Sequence, residues 1–110
     1  MNGRYGASEA LARARGGDDG VYGVLLTGEN LELGYYAPIG TDRQGPHTRD
    51  EIYVVRSGCG EFEIDGDSRP FRAGDALFVP AGVPHRFHRF GDDFAAWVVF
   101  FGPGADGDGS

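Results

Sequence analysis

Glycine and proline decide most of what this chain can become. Twenty glycines and six prolines are spread along its 110 residues. In a helix interior a glycine costs about 1 kcal/mol and a proline about 3 kcal/mol relative to alanine. The apolar residues are left in short runs of strand length, so the chain reads as mostly β. The candidate strands, in order, are 24–27, 30–36, 51–55, 61–64, 76–79, 85–90 and 94–101. In the second, Leu31, Leu33 and Tyr35 alternate with Glu32 and Gly34, the period of a half-buried strand. The fourth ends at Asp65-Gly66, a strong two-residue hairpin signal. The last is apolar on both faces, so both sides need cover. Trp97, Val99 and Phe101 are expected to line the interior, with Val98 and Phe100 facing a second sheet or a partner chain.

One short helix is expected over "ASEALARAR" (7–15), with Ser8 as its N-cap and Gly16 as its stop. A chain of this length makes one domain. The expected division is a helix and lead-in over 1–20, a barrel over 21–102, and a disordered Gly/Asp tail over 103–110. Many short strands at even spacing predict an all-β sandwich or barrel.

Charge narrows the function. The formal net charge is -7, and all ten basic residues are arginine, with no cluster among them. Binding to phosphate backbones needs grouped cations, so nucleic acid is not an expected partner. No run approaches the ~20 apolar residues of a membrane span, and none near the start resembles a signal peptide. A cytoplasmic location with no membrane partner is the expectation. Cys59 is the single cysteine, which rules out an internal disulfide and a cysteine-rich zinc site.

The chemistry-bearing residues cluster in two segments. "GPHTRDEIYVV" sets His47 four residues before Glu51, at the mouth of an apolar strand. On a straight strand their Cα atoms would be roughly 13 Å apart, at ~3.3 Å per residue. Metal–ligand bonds are only ~2.0–2.2 Å long, so "HTRDE" must turn if both residues bind one ion. "GDALFVPAGVPHRF" supplies a second histidine, His85, directly after the stiff Pro80-to-Pro84 connector. Strand parity places His85 and Phe87 on one face and Arg86 and His88 on the other. His85 is taken as the inward residue and His88 as an outward one.

Both segments resemble the two motifs of the cupin superfamily. The first family motif reads His-x-His, three or four residues, Glu, six residues, Gly; this chain has His47, Glu51 and Gly58 in that spacing. The second reads Gly, five residues, Pro-x-Gly, two residues, His; this chain has Gly74, Pro80, Gly82 and His85. The resemblance spans about Leu31 to Phe101 and is similar to small single-domain bacterial cupins. It departs at two positions: Gly45 stands where the family has its first histidine, and Arg89 where an asparagine often ends the second motif. It implies a cupin-type double-stranded β-helix, a jelly-roll barrel. It implies three metal ligands, His47, Glu51 and His85, with Gln44 or Asp50 as substitutes for the missing imidazole.

Such a two-His, one-carboxylate set suits Fe, Mn, Ni, Co or Zn and leaves coordination positions open. The function it implies is a metal-dependent enzyme on a small organic molecule, dioxygenase-like or working by isomerisation or cyclisation. The alternative is a non-catalytic small-molecule sensor or binding cupin, and a metal-free sugar isomerase ranks below both. Gln44, Tyr36, Tyr53, Phe87, Arg89 and Trp97 are the candidate substrate-pocket residues. The two-faced run 97–101, with the family resemblance, implies a homodimer.

Overall fold

The computed structural model describes residues 3–102, and the expected disordered tail over 103–110 lies outside them. The described chain folds as α1 (Ala7–Arg15), β1 (Tyr22–Gly28), β2 (Leu31–Tyr36), β3 (Asp50–Ser57), β4 (Cys59–Ile64), β5 (Asp67–Arg72), β6 (Ala76–Val79), β7 (His85–His88) and β8 (Ala95–Phe101). The strands form a five-stranded sheet in the order β1-β2-β8-β3-β6 and a three-stranded sheet in the order β5-β4-β7. Every pairing is antiparallel. This is the jelly-roll arrangement, all-β with one short helix.

The core draws on both sheets. Tyr53, Val55, Val98 and Phe100 come from the larger sheet, and Phe62, Phe71 and Phe87 from the smaller. Phe94 packs among them from the turn before β8. Tyr53, Phe87 and Phe94 are almost fully buried. A smaller cluster lies elsewhere: Ala10 and Ala14 of α1 pack with Tyr35, Ala37 and Ala95, against Leu25 and Trp97.

Four local expectations differ from the structure. Val98 and Phe100 are the inward residues of β8, while Trp97, Val99 and Phe101 are only partly buried. A strand apolar on both faces carries no parity signal, so the register had to come from pairing partners. The N-cap of α1 is Gly6, which makes no side-chain cap. Strand β5 has no counterpart among the expected runs, because Pro70 and four polar residues break its pattern. It forms at the edge of the smaller sheet, paired only with β4, where a missing N–H is tolerated. Strand β7 stops at His88, short of the expected 90, and Arg89 follows with a left-handed φ of 55°. The Asp65-Gly66 turn joins β4 to β5 with φ values of 49° and 84°, the type I′ geometry its sequence calls for.

Candidate metal centre

Two loops bring the distant motifs together. The Pro80-to-Pro84 connector is stitched to the first motif by backbone contacts. Gly82 N–H donates to the His47 carbonyl at 2.6 Å, and Ala81 N–H donates to Asp50 Oδ1 at 2.9 Å. Asp50 and Glu51 point to opposite faces of β3, as neighbours on a strand must. Asp50 therefore ties down the connector, and Glu51 faces inward at 1% exposure.

His47, Glu51 and His85 offer ligand atoms that all lie within 4.8 Å of one another. Two donors each ~2.1 Å from a shared ion can be at most ~4.2 Å apart, so small side-chain shifts bring the set onto one ion. The His47 and His85 rings are tilted 5.6 Å apart, and His47 also packs edge-on against Phe100 at 4.8 Å.

A divalent cation fits this donor set for a specific reason. His85 Nδ1 is 2.9 Å from the Val83 carbonyl, which can only accept, so Nδ1 carries a proton. In the neutral ring, Nε2 then presents its lone pair. That atom lies 3.2 Å from Glu51 Oε1. Glu51 Oε1 is itself buried with no hydrogen-bond donor among the described residues. A lone pair facing a carboxylate oxygen in a low-dielectric site repels it unless a cation joins the two. The pKa of His85 reflects the same pressure. Burial alone would lower it, but Glu51 and the Val83 carbonyl outweigh burial and raise it. His47 moves the other way, because burial is its largest influence and lowers its pKa, which favours the neutral, ligand-competent ring.

His47 and Glu51 line a cavity of about 400 Å³, while the His85 side chain is buried behind Glu51 and does not reach the lining. Tyr22, Val24, Tyr36, Val98 and Phe100 supply its apolar wall, and Asp19, Glu32 and Gln44 its polar points. Tyr22 O–H donates to Glu32 Oε2 at 2.7 Å. Gly34 makes that possible, since a Cβ there would collide with the Tyr22 ring. Burial, then the contact with Glu32, raises the Tyr22 pKa, so the phenol keeps its proton.

The other candidate pocket residues separate. Gln44 and Tyr36 line the cavity. Tyr53 is fully buried and donates to Gln44 Oε1 at 2.9 Å, with its oxygen 3.1 Å from His85 Nε2. Phe87 is a core residue, packed on Tyr53, Phe62, Phe71 and Phe94. Trp97 points to the opposite side of β8 from Val98 and stacks edge-on with Tyr35 at 4.9 Å. The Arg89 side chain is 80% exposed and lies 3.6 Å from Glu61. His88 is half-exposed and meets Glu63 at 2.8 Å. Tyr53, Phe87, Trp97 and Arg89 are thus absent from the cavity lining.

Sequence reasoning passed over Asp42, Tyr22, Glu32 and Asp19. Asp42 is only 4% exposed, although "GTDRQGPH" reads as an ordinary polar loop. Nothing in such a loop marks one carboxylate for burial. Glu32 carried a usable signal in its alternation with Leu31 and Leu33, which places it on the opposite face of β2.

Comparison with known proteins agrees with this fold. The Cupin domain family profile matches residues 35–101. An uncharacterized protein of Streptomyces coelicolor is 36% identical over 97 residues, covering 86% of this chain and 92% of that protein. Polyketide synthase CurC of Streptomyces cyaneus is 30% identical over 80 residues, 73% of this chain; the match spans 46%, about half, of CurC. Among solved structures, a Cupin 2 conserved barrel domain protein from Salinispora arenicola has the same fold. Its TM-score is 0.68 at 24% identity, covering 93% of this chain and 89% of that one.

Proposed function

The chain belongs to the cupin domain family, and on that premise we propose that it is a metal-dependent enzyme that cyclises a small, largely apolar molecule bearing keto and hydroxyl oxygens. One observation carries the reading. A buried carboxylate oxygen without a donor among the described residues lies within 4.8 Å of two imidazoles, and Glu51 and His47 border a mostly apolar cavity. His47, Glu51 and His85 would hold a divalent transition metal, and Fe, Mn, Ni, Co and Zn all suit this donor set. When bound, such an ion supplies Lewis acidity that polarises a keto oxygen.

The chain's own residues supply the rest. Glu32 lines the same cavity, and its Oε1, the oxygen that Tyr22 does not engage, would take a proton from the activated carbon. The Tyr22 O–H stays protonated and, by donating to Glu32 Oε2, would hold that carboxylate in one orientation. Val98, Phe100 and Tyr36 hold the apolar body and exclude water. Carboxylates on the wall favour neutral, hydroxyl-bearing molecules over anions. The relative named polyketide synthase supports ring closure above oxygenation or isomerisation, because poly-β-keto chains combine an apolar body with keto oxygens.

Elemental analysis of freshly purified protein comes first, followed by turnover of β-diketone and poly-β-keto probes with dissolved oxygen monitored. The expected result is about one metal per chain and ring closure without oxygen uptake, both lost in His85→Ala. Oxygen consumption would replace the reading with an oxygenase. Full metal occupancy with tight ligand binding and no turnover would replace it with a binding or sensor cupin.

A further inference from the structure

Gln44 lies in the loop between β2 and β3, and its contacts decide which end of its amide faces the candidate centre. A carboxylate only accepts, so the amide nitrogen must face Asp42. Gln44 Nε2 donates to Asp42 Oδ2 at 3.1 Å, and the Gln44 backbone N–H donates to Asp42 Oδ1 at 3.1 Å. Asp42 is itself held by the Tyr36 hydroxyl and, at 2.8 Å, by the Phe87 backbone N–H. The amide oxygen is thereby turned the other way. It lies 3.3 Å from His47 Nε2 and 2.9 Å from the Tyr53 hydroxyl.

We infer that Gln44 Oε1 is a fourth protein donor to the ion held by His47, Glu51 and His85, and that Asp42 is the positioning residue that keeps this oxygen facing it. The inference rests on the metal-dependent reading above. Two donors ~2.1 Å from one ion and at right angles to each other are ~3.0 Å apart. The 3.3 Å between Gln44 Oε1 and His47 Nε2 is close to that separation. Position 45, where the resemblance would put a histidine, is exposed, and a Cβ on Gly45 would meet no atom within 4 Å. The neighbouring Gln44 instead brings its amide oxygen to 3.3 Å from His47 Nε2. An amide oxygen is neutral, so the donor set keeps one negative charge from Glu51. The ion stays more electrophilic than it would with a second carboxylate.

Gln44 is the single glutamine of the chain, so its side-chain signals need no disentangling. Wild-type protein labelled with 13C,15N-glutamine is titrated with Zn(II) and the Gln44 Cδ resonance followed. Co(II) affinity and absorption spectra are then compared for wild type, Gln44→Met and Asp42→Asn, with circular dichroism checking that each variant folds. The expected result is a Gln44 Cδ shift that saturates at one Zn(II). Gln44→Met should bind Co(II) about 10–100-fold more weakly with an altered spectrum, and Asp42→Asn about 10-fold more weakly. An unmoved Cδ signal at full Zn(II) occupancy, or wild-type Co(II) affinity and spectrum in Gln44→Met, overturns the inference and leaves the three-residue centre standing. Wild-type protein that binds neither ion overturns both.

Discussion

Replacing Glu51 by glutamine should stabilise the metal-free protein while abolishing the response to metal. Glu51 is 1% exposed, and its Oε1 has no hydrogen-bond donor among the described residues. An unsatisfied buried polar group costs about 1–3 kcal/mol, and more when charged. Glutamine keeps the shape, removes the charge and turns one acceptor into a donor that can face the lone pair of His85. The gain in the apo protein should be about 1–3 kcal/mol. At about 4 °C per kcal/mol for a domain of this size, that is a rise of about 4–12 °C in Tm. Wild type with metal at a hundred times Kd should gain about 2.7 kcal/mol, or about 11 °C. Glu51→Gln should gain almost none of that. Differential scanning calorimetry with excess chelator, then with added Co(II) or Zn(II), reads both halves, above the histidine range so that no imidazolium screens the carboxylate. An apo variant less stable than wild type would show that Glu51 is well satisfied without a cation. An unchanged metal-induced shift would remove it from the donor set.

Three further outcomes follow from the same structure. Phe87→Ala should cost about 3–5 kcal/mol, because the ring is 1% exposed among five aromatic neighbours; chemical denaturation measures this, and a cost below 1 kcal/mol would place Phe87 outside the core. Burial, then Asp42, raises the pKa of Tyr36, while the unfolded chain releases that proton near pH 10. Its contribution to stability is therefore intact below about pH 10 and lost as the pH rises further. Tyrosinate absorbance from the buried rings should appear only with alkaline unfolding, and an ordinary phenol titration in folded protein would contradict this. The outer face of the larger sheet exposes Phe78, Val54 and Leu31 beside Trp97, Val99 and Phe101. The homodimer reading predicts twice the 11.8 kDa chain mass by light scattering, returning to 11.8 kDa in Phe78→Asp; a wild-type monomer would end it.

The strands legible in the sequence were those whose signal is local. Alternation marked Leu31 to Tyr36, the Asp65-Gly66 pair marked a hairpin, and the apolar runs marked β3, β6 and β8. The spacing from His47 to Glu51 and from Pro80 to His85 was equally local, and the family resemblance it carried is what implied the three candidate ligands. Edge strand β5 escaped because its pairing with β4 tolerates a proline that argues against a strand in isolation.

What the chain's order of residues determined by itself was the β class, the single helix and which side chains are able to bind an ion. Only the tertiary structure decided which of them face one another. The inward side of β8 came from pairing with β2 and β3, and the burial of Asp42 from donors on β2 and β7. The direction of the Gln44 amide followed from Asp42 in turn. The reason is physical: propensity and periodicity act between residues a few positions apart. The partner of a buried polar atom is instead chosen by whatever distant segment reaches it first with a matching donor or acceptor, and that is a property of the packed chain.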